Sequence, residues 1–168
     1  MFISSDTNIW FDFEETGNLE HPFLLDNNYY LSDVTYHDEI QTSHTIHDIV
    51  ETGKLQITSV PVSEIQIAGE YAEQYPALSI HDAIALAIAK TRGWILLSGD
   101  GKLREAAAQE SVECHGTLWI YKSLKEQEKL TNQEYRAALE KLLDAVKHKG
   151  RRLPKNEIIR MLSECTGE

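Results

Sequence analysis

The fold of this chain is decided by residues 79–100, which read SIHDAIALAIAKTRGWILLSGD. The first half, residues 79–90, is apolar on almost every side of a helix, which is typical of a buried helix. The second half contains Trp94–Leu97, an apolar run that predicts a buried strand. Each segment has a carboxylate beside it, Asp82 in the first turn of the helix and Asp100 after the strand. Buried charge is costly unless it is paired or binds a metal, so both acids need an explanation.

Each acid also has a simple structural interpretation. Ser79 and Asp82 have the spacing of a capping box, in which two side chains bond the backbone N–H groups at the start of a helix. Asp100 and Gly101 are typical of a turn, and the residues after them favour a helix over a returning strand. Each structural interpretation is sufficient to explain its own acid. Together with the two further acids described below, however, Asp82 and Asp100 favour a functional site.

Composition places the chain among globular proteins with a sizeable core. Its 168 residues are 42% hydrophobic, and no apolar run is long enough to cross a membrane. The opening segment Met1–Asp6 lacks the pattern of a signal peptide, so we expect none. Cys114 and Cys165 are far apart and form no CxxC pair, which argues against a disulfide framework or a zinc site and favours the cytoplasm.

Charge is distributed unevenly along the chain. The formal net charge is −11, and residues 1–53 contain 11 acids and no Lys or Arg. The remaining residues are balanced, with 16 acids and 16 bases. An acidic surface repels nucleic acid and attracts cations or a basic partner. We therefore expect a homodimer in which a protein partner covers part of this surface.

Short strands alternate with helices, which predicts an α/β fold with a mainly parallel sheet covered on both faces. Functional residues of such folds lie at the carboxyl ends of strands, where Asp6 and Asp100 are expected, and helical Asp82 and Glu39 can reach the same crevice. The predicted strands are Phe2–Asp6, Tyr29–Leu31, Leu55–Thr58, Trp94–Leu97 and Val112–His115. One predicted helix starts at Thr7. The others cover Asp33–Val50, Val62–Gln74, residues 79–90, Lys102–Gln109, residues 131–148 and residues 156–164.

Carboxylates from four separate segments point to a metal site if they converge. At neutral pH they would repel one another, and hard divalent cations such as Mg²⁺ or Mn²⁺ relieve that repulsion through carboxylate oxygens and water. Such a cation activates water and clamps phosphoryl oxygens, which is the chemistry of phosphodiester hydrolysis. The chain has no GxxxxGK[ST] loop, no GxGxxG and no GxSxG motif.

Four motifs resemble those of the PIN-domain family in order and approximate spacing. They are Ser5-Asp6-Thr7-Asn8-Ile9, Asp38-Glu39-Ile40, Ser79-x-x-Asp82-Ala83 and Leu97-Ser98-Gly99-Asp100-x-x-Leu103. The resemblance implies a PIN-like α/β/α sandwich over residues 1–122 and a metal-dependent ribonuclease that cleaves single-stranded RNA. It also implies the toxin of a VapC-type toxin–antitoxin pair, restrained by a small antitoxin that supplies Arg or Lys to the acidic pocket.

The resemblance also assigns residues to roles. Asp6, Glu39, Asp82 and Asp100 become the catalytic, metal-binding acids, with Asn8 and Ser98 as polar support at the edge of the site. The second acid is ambiguous, because an ungapped count from Ser32 favours Asp38. A Glu followed by an aliphatic residue matches the family pattern, so we choose Glu39.

Residues 123–168 predict a helical extension packed on or next to the first 122 residues. Its basic segment Lys147–Lys155 is usually a solvated helix end, but it is also the basic cluster available for a phosphate backbone, so Arg151 and Arg152 are candidates for RNA contact. The pair His44-x-x-His47 reads as a solvated helix face, and His37 and His81 read as ordinary histidines beside the acids. The aromatic residues Trp10, Phe11 and Phe13 read as core.

Two other functions were compared with the ribonuclease. A catalytically silent PIN-like module that binds RNA or a protein would not need all four acids, and all four are present. A phosphotransfer receiver domain also has an acidic Mg²⁺ pocket, but it needs an Asp at the end of its third strand. Residues 55–60 contain no Asp.

Overall fold

The computed structural model describes residues 1–40 and 43–165. At its centre is a five-stranded sheet in which every pair of neighbouring strands is parallel, in the order β3-β2-β1-β4-β5. The strands are β1 (Phe2–Ser5), β2 (Asn28–Ser32), β3 (Leu55–Thr58), β4 (Ile95–Leu97) and β5 (Cys114–His115). The predicted strands are confirmed to within two residues at each end.

Helices cover both faces of the sheet, which confirms the predicted α/β/α sandwich. They are α1 (Thr7–Glu15), α2 (Asp33–Thr35), α3 (His44–Glu51), α4 (Val62–Gln74), α5 (Ile80–Arg92), α6 (Gly101–Gln109), α7 (Thr117–Glu126), α8 (Asn132–His148) and α9 (Lys155–Glu164). A 3₁₀ turn (His21–Leu24) and a π turn (Tyr36–Ile40) complete the helical segments of the described ranges.

Alternation along the strands divides the core into two clusters. Ile3 and Leu97 face a cluster that contains Trp10 and Phe13 of α1, so the aromatic residues of α1 are core, as predicted. Leu96, the neighbour of Leu97, faces the opposite cluster, which is built from α4, α5 and α6. Successive side chains of a strand point to opposite faces, and both faces here are covered.

Helix α5 is buried as its sequence predicts, with every residue from Ala83 to Ala89 inside the second cluster. It lies against the middle of the sheet, where Ser4 of β1 donates a hydrogen bond to the carbonyl oxygen of Ala85 at 2.9 Å. Its end is set by Gly93, whose φ of +65° is a left-handed conformation that glycine adopts without steric cost. The sheet and α5 together fix where the carboxyl ends of β1 and β4 lie.

The prediction of one helix over Asp33–Val50 is wrong. Ser32 caps the short helix α2, the chain then widens into the π turn, and α3 starts only after Ser43, whose side chain caps it. Gln41 and Thr42 of the predicted helix lie outside the described residues. A Ser at the start of each segment satisfies free N–H groups, so two separately capped helical segments replace one continuous helix.

The carboxyl-terminal helices share the core of the sheet. Tyr121 of α7, Leu139 of α8 and Met161 of α9 all belong to the cluster that contains Ile3 and Trp10. The predicted boundary after residue 122 falls inside α7, and the division into residues 1–122 and 123–168 stays a prediction, with residues 166–168 outside the described part. Within the described ranges, no helix has the length and apolar character needed to cross a membrane.

Candidate active site

Asp6 lies at the carboxyl end of β1 and its side chain is buried, with 6% of the residue exposed. Its backbone N–H bonds the carbonyl oxygen of Leu97 at 2.9 Å, so it sits directly beside the end of β4. Burial and then the nearby charge of Asp82 raise the pKa of Asp6 to about 6, while hydrogen bonds from Ser98 and Asn8 oppose that increase. This carboxylate is kept in a place that disfavours its charged form.

Ser98 connects Asp6 to Asp100. Its hydroxyl donates to Oδ2 of Asp6 at 3.0 Å and accepts the backbone N–H of Asp100, also at 3.0 Å. Because Ser98 is fully buried, it holds the two acids in fixed relation to each other. Asn8, at the exposed edge, has Nδ2 3.4 Å from Oδ2 of Asp6. Both residues contact Asp6, and their role as polar support stays a prediction.

Asp100 caps α6 while facing the same end of the sheet. Its Oδ1 accepts the backbone N–H groups of Lys102 and Leu103, each at 2.9 Å. Its Oδ2 accepts no hydrogen bond from the described residues. One oxygen therefore stabilises the start of the helix, as the structural interpretation predicts, and the role of the other as a metal ligand stays a prediction.

Asp82 caps a helix and also lies close enough to Asp6 for its charge to act there. It forms the capping box of α5, accepting the N–H of Ser79 at 2.8 Å while its own N–H bonds the Ser79 hydroxyl at 3.1 Å. Its charge nevertheless acts on Asp6 strongly enough to raise the pKa of that residue. The cap fixes one oxygen of Asp82 and leaves the other free among the described residues.

The π turn places Asp38 and Glu39 in different surroundings. Thr7 donates to Oε2 of Glu39 at 2.7 Å and lies 3.4 Å from Oδ1 of Asp6, so Glu39 is joined to Asp6 through a single hydroxyl. Asp38 is more exposed, and its Oδ2 lies 3.4 Å from Nε2 of His81. The structure thus brings Glu39, rather than Asp38, next to Asp6.

His81 lies between the π turn and α5. Its Nδ1 is 3.3 Å from the hydroxyl of Thr35, and its Nε2 is 3.9 Å from Oε1 of Glu39 as well as close to Asp38. The side chain is 16% exposed. His81 is therefore a partly buried histidine, as predicted, and it also borders the acids. His44 and His47 are on an exposed face of α3.

The four acids fit a hydrated divalent cation better than a closed cage. Residues 1–40 and 43–165 contain no group of three His, Cys, Asp or Glu side chains spaced to hold a metal ion directly. Mg²⁺, however, usually keeps several waters and takes only one or two carboxylates from the protein. Asp82 and Asp100 each present a carboxylate oxygen without a hydrogen-bond donor among the described residues. Asp6 is linked to Asp100 through Ser98 and to Glu39 through Thr7. This donor set has the oxygen chemistry that Mg²⁺ and Mn²⁺ prefer.

Asp12 lines the cavity beside Asp100, and its place there was not predicted from the sequence. It is buried on α1, where Arg151 donates from Nε to its Oδ1 at 2.6 Å and Thr117 donates to its Oδ2 at 2.7 Å. Arg151 also bonds the carbonyl oxygen of Asn8 at 2.8 Å. Burial raises the pKa of Asp12, against the effects of Thr117 and Arg151. A carboxylate inside the apolar run of residues 9–13 was the available signal.

A cavity of about 360 Å³ lies beside the acids, between the start of α6 and the segment after α8. It is lined by Asn8, Asp12, Gly99, Asp100, Gly101, Gly150, Arg151 and Arg152. Two arginines therefore approach the pocket from the carboxyl-terminal segment. The guanidinium of Arg151 is engaged by Asp12, and that of Arg152 has no hydrogen bond or ion pair within the described residues.

Comparison with known proteins gives one family. A family model described as a PIN domain matches residues 2–166, nearly the whole chain. No curated protein matches the sequence.

Proposed function

This chain belongs to the PIN-domain family, and from that premise we propose that its four acids form the active site of a metal-dependent endoribonuclease. PIN domains are typically nucleases, and they usually use divalent metal ions. The observation that carries the proposal is the absence of cationic partners. Within the described residues, none of Asp6, Glu39, Asp82 and Asp100 has an ion pair with Lys or Arg, whereas buried Glu64 is paired with Arg92 at 2.7 Å.

In this proposal some side chains bind the metal ion and others orient those ligands. Asp6, Glu39, Asp82 and Asp100 would hold Mg²⁺ or Mn²⁺, which when bound supplies Lewis acidity toward water and phosphoryl oxygens. Ser98 orients Asp6, and Thr7 orients Glu39. The caps on α5 and α6 fix one oxygen of Asp82 and one of Asp100. Fixed ligands lower the reorganisation needed at the moment of reaction.

Cleavage of single-stranded RNA tests this proposal. The full-length protein should cleave it with Mg²⁺ or Mn²⁺ and stop when EDTA is added. Asp6→Asn and Asp100→Asn should each lower kcat/KM by at least about 100-fold with an unchanged circular dichroism spectrum. Arg136→Gln, on exposed α8, is the control and should keep full activity.

The same assay separates Glu39 from Asp38. Glu39→Gln removes a carboxylate joined to Asp6 through Thr7 and should lose activity. Asp38→Asn changes an exposed side chain and should keep most of it. If Glu39→Gln keeps full activity and Asp38→Asn loses it, Asp38 rather than Glu39 is the second acid of the site.

The alternative is a catalytically silent module that binds RNA or a protein partner. The spacing of the acids supports it, since the described residues contain no three ligands already close enough for one ion. Binding of RNA by the wild-type protein without cleavage in any divalent cation would favour this alternative.

We also propose that the protein is the toxin of a type II toxin–antitoxin module, acting in the cytoplasm as a homodimer. The support is the charge of residues 1–53, where 11 acids stand without Lys or Arg and suit a basic antitoxin segment. Light scattering at micromolar concentration should give a dimer, and a pull-down from the native host should recover a small basic protein. A monomer without such a partner would count against the module.

A further inference from the structure

A second cavity, of about 180 Å³, adjoins the cavity beside Asp100, and cations outnumber acids in its lining. Arg104, Lys122 and Arg152 line it, with Glu157 as its one carboxylate among the described residues. It shares Gly99 and Arg152 with the larger cavity that contains Asp100. We call this second space the arginine cavity. Any chain bound at the acids can continue into it.

Two of its cations form no hydrogen bond or ion pair within the described residues, although the charge of Arg104 acts on Glu157. The sequence contains six arginines, and four of them, Arg92, Arg136, Arg151 and Arg160, form ion pairs. The other two, Arg104 and Arg152, make no ion pair or hydrogen bond within the described residues, and both line the arginine cavity. Lys122 is neutralised by Glu157. In a chain with a net charge of −11, two unpaired guanidiniums in one cavity indicate an anionic ligand.

Gly116 makes room for Arg104. A Cβ at position 116 would lie 3.2 Å from Nη1 of Arg104, closer than most real contacts. The guanidinium therefore lies close to the backbone of Gly116 at the wall of the cavity. A planar guanidinium can make paired hydrogen bonds to a phosphate.

The aromatic wall of the cavity suits a nucleobase. Trp119 and His115 both line it and are stacked, with ring centroids 4.5 Å apart and planes 6° apart. Aromatic side chains beside cations are the usual platform for single-stranded nucleic acid, because every base has a face that can stack. Phosphate-binding and base-stacking groups thus occur together in one small space.

We propose that the arginine cavity binds the nucleotide adjacent to the cleaved bond of single-stranded RNA. Arg104 and Arg152 hold its phosphodiester, and Trp119 contacts its base. The inference rests on the proposed nuclease function for the identity of the ligand, and it assigns the direction in which the RNA leaves the acids. The carboxyl-terminal segment then contributes Arg152 to substrate binding and Arg151 to structure.

Binding measured without cleavage tests the cavity. The probe is a fluorescent single-stranded RNA of about 12 nucleotides, within the range of known single-strand site sizes, titrated with full-length protein in EDTA. Arg104→Gln and Arg152→Gln should each weaken binding about 5-fold or more, and the double variant about 30-fold or more. The slope of log K against log salt should become less steep by about 0.7 for each lost phosphate contact.

Controls separate this effect from folding. Arg104 and Arg152 are exposed and unpaired, so the variants should melt at the wild-type temperature. Arg136→Gln removes the same charge from α8 and should change neither the affinity nor the slope beyond twofold. Arg104→Lys keeps the charge but not the paired hydrogen bonds and should recover only part of the affinity.

The outcomes distinguish the cavity from the nuclease proposal. If the wild-type protein cleaves RNA but the double arginine variant binds RNA as tightly as Arg136→Gln does, the proposal that the arginine cavity binds RNA is wrong. The proposed nuclease function is then unaffected. If RNA binding depends on both arginines but no divalent metal ion supports cleavage, the proposed RNA-binding role of the cavity is supported. The proposed nuclease function is then wrong. A wild-type protein that does not bind the RNA overturns the cavity outright.

Discussion

Asp6 and Asp12 stand six residues apart, both nearly fully buried, and their surroundings are opposite. Asp12 receives hydrogen bonds from Arg151 and Thr117, which offset part of the cost of burying its charge, although burial still raises its pKa. Asp6 receives bonds from neutral groups and faces the carboxylate of Asp82. A buried acid with a cation serves the fold, whereas a buried acid among other acids is costly to the fold and needs another reason to be there. The comparison separates a structural acid from a candidate functional acid within six residues of sequence.

The largest change should follow from removing the cation of Asp12. Arg151→Met leaves a buried carboxylate without its partner, and we expect a loss of about 3 kcal/mol in the free energy of unfolding, measured with urea in EDTA. Adding Asp12→Leu should recover part of that loss, since no buried charge remains. Arg160→Met, in an exposed ion pair, is the matched control and should cost less than about 1 kcal/mol. If Arg151→Met and Arg160→Met lower the free energy of unfolding equally, the Arg151–Asp12 pair is no more important to stability than an exposed ion pair.

Asp6 should respond in the opposite direction. Its pKa is raised from 3.8 to about 6 in the folded state, so the folded protein binds the proton more tightly than the unfolded chain. This contribution to stability is present below pH 4 and is lost as the pH rises through 6. Asp6→Asn should therefore stabilise the metal-free protein at pH 7, by up to about 3 kcal/mol, with a gain that fades toward pH 4.

Asp12→Asn is the comparison for that experiment. It leaves the guanidinium of Arg151 without its carboxylate and should destabilise the protein at pH 7. Urea unfolding of both variants at several pH values between 4 and 7 gives the two signs directly. Destabilisation by Asp6→Asn at pH 7 would mean that Asp6 is as structural as Asp12.

The smallest effect concerns the two capping boxes, Ser79–Asp82 on α5 and Thr131–Glu134 on α8. Asp82→Asn and Glu134→Gln each remove the charge from an equivalent position, and each should lower stability by less than about 1 kcal/mol. Only Asp82→Asn should lower RNA cleavage, by about 10-fold or more, because only that box lies beside Asp6. Full cleavage by Asp82→Asn with an earlier melting transition would reduce Asp82 to a cap.

Periodicity was enough to predict the sheet and most helices. The predicted helix Val62–Gln74 has the observed bounds, and the buried helix and the strand after it define the middle of the fold. Helix α7 was missed although Leu118, Tyr121 and Leu124 recur at helical spacing and are buried. The break at the π turn had a weaker signal, because Ser43 is one of many polar residues in that region.

Long-range pairing had no local signal. Arg151 reads as part of a basic segment, and only the fold shows that it enters the core to meet Asp12. The same holds for the arginine cavity, since Arg104 and Arg152 are 48 positions apart and share a wall only after α6 and the carboxyl-terminal segment have packed. The sequence motifs were therefore enough to select the candidate acids, whereas the positions of Arg104, Arg151 and Arg152 became clear only from the packing of the folded chain.

The ion pair between Arg151 and Asp12 also links the fold to the time course of synthesis. The two residues are 139 positions apart. At about 5–20 residues per second, roughly 7–28 s separate the addition of Asp12 from that of its cation. During that interval α1 carries a carboxylate that cannot be buried cheaply. A chain released before residue 151 lacks this cation, so its Asp12 would have to be buried without an ion pair.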